Sequence, residues 1–122
     1  MSEQSNLERR RFTRIPFKKN VTLYSGMEAL DSLMLDISLK GVSLSCPKNH
    51  QPEIGGLYRL SIPVDNSPAI IMNIEVIHIK GDTFGAEWTQ IDMNSFASLK
   101  RTIELNTKEH ESLREDIKKL AE

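Results

Sequence analysis

Residues 69–91 read AIIMNIEVIHIKGDTFGAEWTQI, and this stretch decides the fold. From Ala69 to Lys80, the side chains of Ile70, Met72, Ile74 and Val76 fall on one side of a two-residue period, with Asn73 and Glu75 on the other. Successive side chains of a strand point to opposite faces, so this pattern describes a strand with one buried and one wet face. Gly81-Asp82 turns the chain, and Thr83 to Ile91 continues as a partner strand with Phe84, Ala86 and Trp88 on a shared face. The two runs form a hairpin. His78 stands where the inward-facing run reaches its end.

The same period extends toward the N-terminus. Leu57 to Val64 is a strand that closes at Asp65-Asn66-Ser67-Pro68, and Pro47 to Gly56 is a polar loop. Ser32 to Ile37 and then Val42, Leu44 and Cys46 alternate on either side of Gly41, while Val21 and Leu23 precede a turn signal at Ser25-Gly26. Short strands in succession argue for an antiparallel barrel, which removes exposed sheet edges by closing on itself. After Ile91 the period changes to that of helices. Asp92 or Asn94 can cap a helix carrying Phe96, Leu99 and Ile103, and Asn106 can end it. Thr107 can cap a second helix with Leu113, Ile117 and Leu120 on one stripe, which packing on the barrel accounts for better than a partner surface does.

These 122 residues form a single domain over 1–122: an arm over 1–14 expected to be flexible, a barrel over 15–92 and a helical tail over 93–122. Hydrophobic residues at 39% and charged residues at 27% are ordinary for a globular chain. No apolar run reaches the ~20 residues of a membrane helix. The start, Met1 to Asn6, is polar and unlike a secretory signal. A lone Cys46 leaves no internal disulfide to form. The expectation is a cytoplasmic protein with no membrane partner.

Several chemistries find no support. His50, His78 and His110 are scattered through loop, strand and helix, so no metal site is expected. No activated Ser or Cys motif is present, and Gly55-Gly56 lacks the Lys-Ser/Thr of a phosphate loop. No cofactor and no catalysis are expected. The formal net charge is −1, so the chain as a whole is not a polynucleotide binder by charge. Yet Arg9, Arg10, Arg11, Arg14, Lys18 and Lys19 crowd the first twenty residues. Positive charge gathered in one arm of a near-neutral chain implies a local anionic ligand or partner.

Two short motifs carry the chemistry. The first is Arg9-Arg10-Arg11-Phe12-Thr13-Arg14. Guanidinium forks bind phosphate oxygens bidentately, match the O6/N7 edge of guanine and stack on purine faces, so this run favours a ligand holding both guanine and phosphate. The second is Asp36-Ile37-Ser38-Leu39-Lys40-Gly41, a strand followed by a tight turn. Asp36 can accept from guanine N1 and N2 or hold an arginine of the arm in place. Ser38 offers a hydroxyl. Gly41 permits a positive φ or a close backbone approach to a ligand. Seen alone, the arginine run is a solvated tail and the Asp-x-Ser a self-capping turn. His78 either stacks on a guanine or makes a strand-end hydrogen bond, and Trp88 belongs to the core rather than to a ligand platform.

Together the motifs resemble the PilZ family, whose signatures are an RxxxR arm, here Arg10 to Arg14, and [D/N]xSxxG, here Asp36, Ser38 and Gly41. The strand run, Phe84-Gly85-Ala86 and the helical tail fit as well, and Glu8 to Phe12 is similar to the start of short single-domain members. The resemblance implies a mainly β protein: a six-stranded antiparallel β-barrel with a basic N-terminal arm and C-terminal helices. It also implies a bacterial receptor for cyclic di-GMP. The arm would fold over the barrel mouth and clamp the dinucleotide against the Asp36–Gly41 turn, with Arg9, Arg10, Arg11, Arg14, Asp36, Ser38, Gly41 and His78 as binding residues. In that family the residue before RxxxR influences ligand number, and Arg9 in that place favours an intercalated pair. A monomer is expected to pass the signal to an effector protein controlling motility, chemotaxis or biofilm. The alternatives are an adaptor with an unused ligand site and a basic-arm nucleic-acid module.

Overall fold

Ser25 and Glu28 pair across a two-residue turn whose first member, Gly26, has φ +60°, and Lys80 and Thr83 pair around Gly81 at +62°. A positive φ at the first central position is what a type II′ hairpin turn requires, and glycine takes it without a Cβ clash. In the computed structural model, which describes residues 12–107 and 110–121, these two hairpins are parts of one closed antiparallel barrel.

The strands are β1 (Ile15–Ser25), β2 (Glu28–Ile37), β3 (Gly41–Ser45), β4 (Leu57–Val64), β5 (Ser67–Lys80) and β6 (Thr83–Ile91). Their order around the barrel is β1-β2-β3-β6-β5-β4, with β4 returning to β1. Two consecutive three-stranded meanders are thus joined along two seams, β3 with β6 and β1 with β4. The alternation read from residues 69–91 holds over most of its length: Ile70, Met72, Ile74 and Val76 are buried beside Phe84 and Ala86. Each strand places at least one large side chain in a common interior, with Leu23, Met34, Leu44, Leu60, Met72 and Phe84 all at 1% exposure or less. Burying such a side chain stabilises the fold by roughly 1.5–3 kcal/mol before chain entropy is set against it.

The alternation fails at one informative place. The β5–β6 register shifts between Val76 and His78, and Ile77 and His78 are both exposed. Strict alternation would have turned His78 inward after Val76. The irregularity instead places it on the outer wall, as bulges do when they re-aim a side chain. Further register shifts fall in β1–β2 between Pro16 and Lys19 and in β2–β3 between Met34 and Asp36.

Two helices follow, α1 (Met93–Leu105) and α2 (His110–Ala121). Asp92 is the N-cap of α1, accepting from the Ser95 N–H at 2.8 Å, and Asn106 is its C-cap. Ser95 Oγ in turn accepts from the Ile71 N–H at 3.0 Å, tying α1 to β5, while Leu99 and Ile103 join the core at 0% exposure. In α2, Ile117 and Leu120 pack against that core, as the stripe required. The side chain of Leu113 and the link from Thr107 lie outside the described residues.

Of the arm expected over 1–14, only Phe12, Thr13 and Arg14 are described, and each has a partner. Phe12 packs against the core below the Lys119 ammonium, 5.7 Å from its ring centre. The Thr13 N–H donates to Asp116, a carboxylate of α2 at 3% exposure. Arg14 bonds Asp36.

The cap of α1 has a signed pH dependence. The hydrogen bond from the Ser95 N–H holds the Asp92 carboxyl below its ordinary value. A lowered folded pKa stabilises above the unfolded value and is lost as pH falls through the folded one. Asp92→Ala should therefore lower the melting temperature at neutral pH, and the gap from the parent should narrow on acidification below the usual carboxylate range. Thermal melts of both proteins across that range check this.

Candidate functional site

The Asp36–Gly41 segment forms a self-contained turn. Ser38 is 2% exposed, and its N–H donates to the Gly41 carbonyl at 2.9 Å. Its hydroxyl donates weakly to the same carbonyl at 3.3 Å and accepts from the Lys40 and Gly41 N–H groups at 3.2 and 3.1 Å. The hydroxyl's bonding capacity is therefore engaged inside the turn. Gly41 has no positive φ, in contrast to one of the two reasons for a glycine there. A Cβ at Gly41 would overlap the Ala86 carbonyl oxygen and lie 3.2 Å from its carbon. The close approach it permits is that of β3 to β6.

Trp88 braces the turn from beneath. Its indole Nε1–H donates to the Leu39 carbonyl at 2.8 Å, and its backbone N–H donates to the Lys40 carbonyl at 3.1 Å. Lys40 lies over the ring, 4.3 Å from its centre, and Phe96 meets Trp88 edge-on at 6.3 Å. Trp88 is half-buried at the core's margin, where an amphipathic ring with a satisfied N–H belongs.

Outside the turn, the pairing register sets up a row of residues across four strands. Asp36 of β2 faces Ser43 of β3, Ser43 faces Gly85 of β6, and Gly85 faces His78 of β5. Their neighbours Ile37, Val42, Leu44, Phe84 and Ala86 are all buried, so the row lies on the outer wall. At strand spacings of about 4.8 Å it spans roughly 14 Å. Arg14 stands at one end, its Nη1–H donating to Asp36 Oδ1 at 2.8 Å. His78 stands at the other, exposed, with its imidazole over Gly85. Asp36 and His78 thus share one wall of the barrel.

The structure therefore brings Arg14, Asp36 and His78 to one surface and puts Ser38 and Gly41 beneath it as supports. Arg9, Arg10 and Arg11 lie outside the described residues. Sequence reasoning missed Ser43 and Gly85. A signal for Gly85 existed, because a glycine inside a strand often marks a close approach. Ser43 carried none; only the register gives it a place.

A closed six-stranded antiparallel barrel whose outer wall meets an arginine at the foot of a basic arm defines a small binding domain. The chain belongs to the PilZ domain family, whose model matches residues 8–105. PilZ domains are a cyclic di-GMP-binding fold, and they act as binding or adaptor domains. Among solved structures, the chain is similar to the Bacillus subtilis inhibitor of motility MotI/DgrA, with TM-score 0.64 and 21% identity over 75% of this chain and 47% of that one. The matched region is thus about half the length of MotI/DgrA. It is also similar to the PilZ domain of CeSA from a cellulose-synthesising bacterium, with TM-score 0.61 and 16% identity over 74% and 93% of the two chains. An uncharacterised Legionella protein matches at TM-score 0.51 and 15% identity over 76% and 91%. At these identities the likeness is one of fold. No described helix is long and apolar enough to cross a membrane.

The bonding of Ser38 makes a structural role measurable without ligand. Ser38→Ala strips the Lys40 and Gly41 N–H groups of their acceptor in a buried turn. It should destabilise the barrel by about 1–3 kcal/mol, the cost of leaving buried donors unmatched. Urea unfolding of the unliganded protein reads this.

Proposed function

We propose that this protein is a cyclic di-GMP receptor that binds the dinucleotide on the outer wall between Arg14 and His78. The observation that carries the reading is the Arg14–Asp36 pair, which joins the two family motifs at 2.8 Å on the wall whose far end holds the exposed His78 ring. Both partners are about one-third exposed, at 39% and 32% of their side-chain surfaces. A surface pair of this kind adds only about 0–1 kcal/mol to stability. Its value lies in position. One guanidinium nitrogen is engaged by Asp36, and the remaining donors, without a partner among the described residues, suit a phosphate or guanine O6 and N7.

Arg9, Arg10 and Arg11 supply further guanidinium groups just upstream of the pinned residues Phe12 to Arg14. Two ligand molecules per chain, held as an intercalated pair, suit that charge: four phosphates against four arginines. Ser38 and Gly41 act from beneath by fixing the turn and the β3–β6 contact. The protein has no chemistry of its own to perform in this reading. Binding draws the arm onto the wall, and an effector protein reads the altered surface.

Isothermal titration of the full chain with cyclic di-GMP, with GTP and a short oligonucleotide as controls, tests the proposal. Saturable heat with cyclic di-GMP alone and a stoichiometry near two is the expected outcome. Arg10→Ala or Arg14→Ala should weaken binding roughly 10- to 100-fold through loss of a charge-assisted contact, with little change in melting temperature. Absence of heat with the parent protein would sink the receptor reading. Tight oligonucleotide binding that collapses with added salt would favour a nucleic-acid module instead.

A further inference from the structure

Gly85 sits in the interior of β6 between two buried neighbours, Phe84 and Ala86, where a side chain would ordinarily stand on the outer wall. A Cβ built there would overlap the His78 Cε1 and lie 2.7 and 2.8 Å from its two ring nitrogens. The edge of the imidazole therefore fills the space of the missing side chain. Two departures from regular strand structure cooperate in this. The register shift after Val76 turns His78 outward, and the glycine opposite it leaves room for the ring. Neither serves the core, because both act on the solvent side of a wall whose interior is already filled.

A ring seated over a buried glycine and itself exposed is a platform for a flat partner. Its next neighbour along the row is Ser43, whose hydroxyl makes no hydrogen bond among the described residues. Beyond that come Asp36 and Arg14. The wall thus offers an aromatic surface at one end, a free hydroxyl in the middle and a guanidinium at the other end. A ligand that uses all three must hold a planar base and an anionic group a short distance apart.

Resting on the receptor reading above, we propose that Gly85 is the specificity-determining position of this wall: by lacking a side chain it seats His78 as a stacking platform for a purine base. The platform makes the wall discriminate a nucleotide from a bare phosphate, which only the arginine end would hold. Gly85 is a positioning residue, and His78 is the group that touches the base.

The test is a double-mutant cycle read by titration with cyclic di-GMP. His78→Ala should weaken binding roughly 5- to 100-fold, the range for loss of one base–aromatic stack. Gly85→Ala should weaken it by a similar factor, and the double variant should bind no more weakly than either single one. His78→Phe, which keeps a planar ring at an exposed position, should retain most of the affinity. In the parent protein the His78 ring-proton resonances should shift on ligand addition, and in Gly85→Ala they should shift less. Losses that add in the double variant, or parental affinity in His78→Ala, overturn the platform. If Arg14→Ala loses binding while His78→Ala does not, the platform falls and the receptor stands. If the parent does not bind cyclic di-GMP at all, both fall together.

Discussion

The closeness of β3 to β6 is the constraint on which the rest of the molecule depends. The barrel is assembled from two meanders, and β3 contributes only Gly41–Ser45 to the seam that joins them. At its start the seam leaves no space for a side chain, since a Cβ at Gly41 would run into the Ala86 carbonyl. That contact fixes where the Ser38–Lys40 turn sits, and Trp88 then holds the turn by two hydrogen bonds. A looser seam would shift Asp36 relative to His78, because the row that connects them across this wall runs through Ser43 and Gly85.

The candidate site follows from that register. Its wall residues come from four strands, and each faces the next by strand pairing. Register shifts lie next to both ends of the row, beside Asp36 in β2 and beside His78 in β5. Regular pairing carries the core and local irregularity carries the site, a division common in barrels. The motif residues divide in the same way. Arg14 and Asp36 face solvent with polar groups available, whereas Ser38 and Gly41 are buried and make the frame.

Most of the fold was legible because its signals are local. The bounds of β4 and β6 follow the alternation and the turn residues that flank them, and β5 begins at Ser67 because Asp65-Asn66 alone makes the turn. Asp92 and Asn106 bracket α1 as their capping chemistry suggests. The site was legible only in part. Arg14 and Asp36 announced themselves by residue type, but the facing of His78 did not, since a register shift leaves no mark in a pattern of hydrophobic residues. Ser43 is invisible for a related reason: its role depends on which residues stand beside it on other strands. The internal roles of Ser38 and Gly41 depend on β6 and on the closed turn, and neither is a property of the motif alone.

The hydrogen bond from Thr13 to Asp116 knits the first described segment of the chain to the last helix. Phe12 lies on the core beneath Lys119 of the same helix, so two contacts converge on this spot. Ends of domains usually fray one at a time, each with its own small opening free energy. Here the base of the arm and α2 share a fastening, and opening one deprives the other of its partner. The segment Phe12–Arg14 and α2 are in this sense one cooperative unit rather than two independent ends.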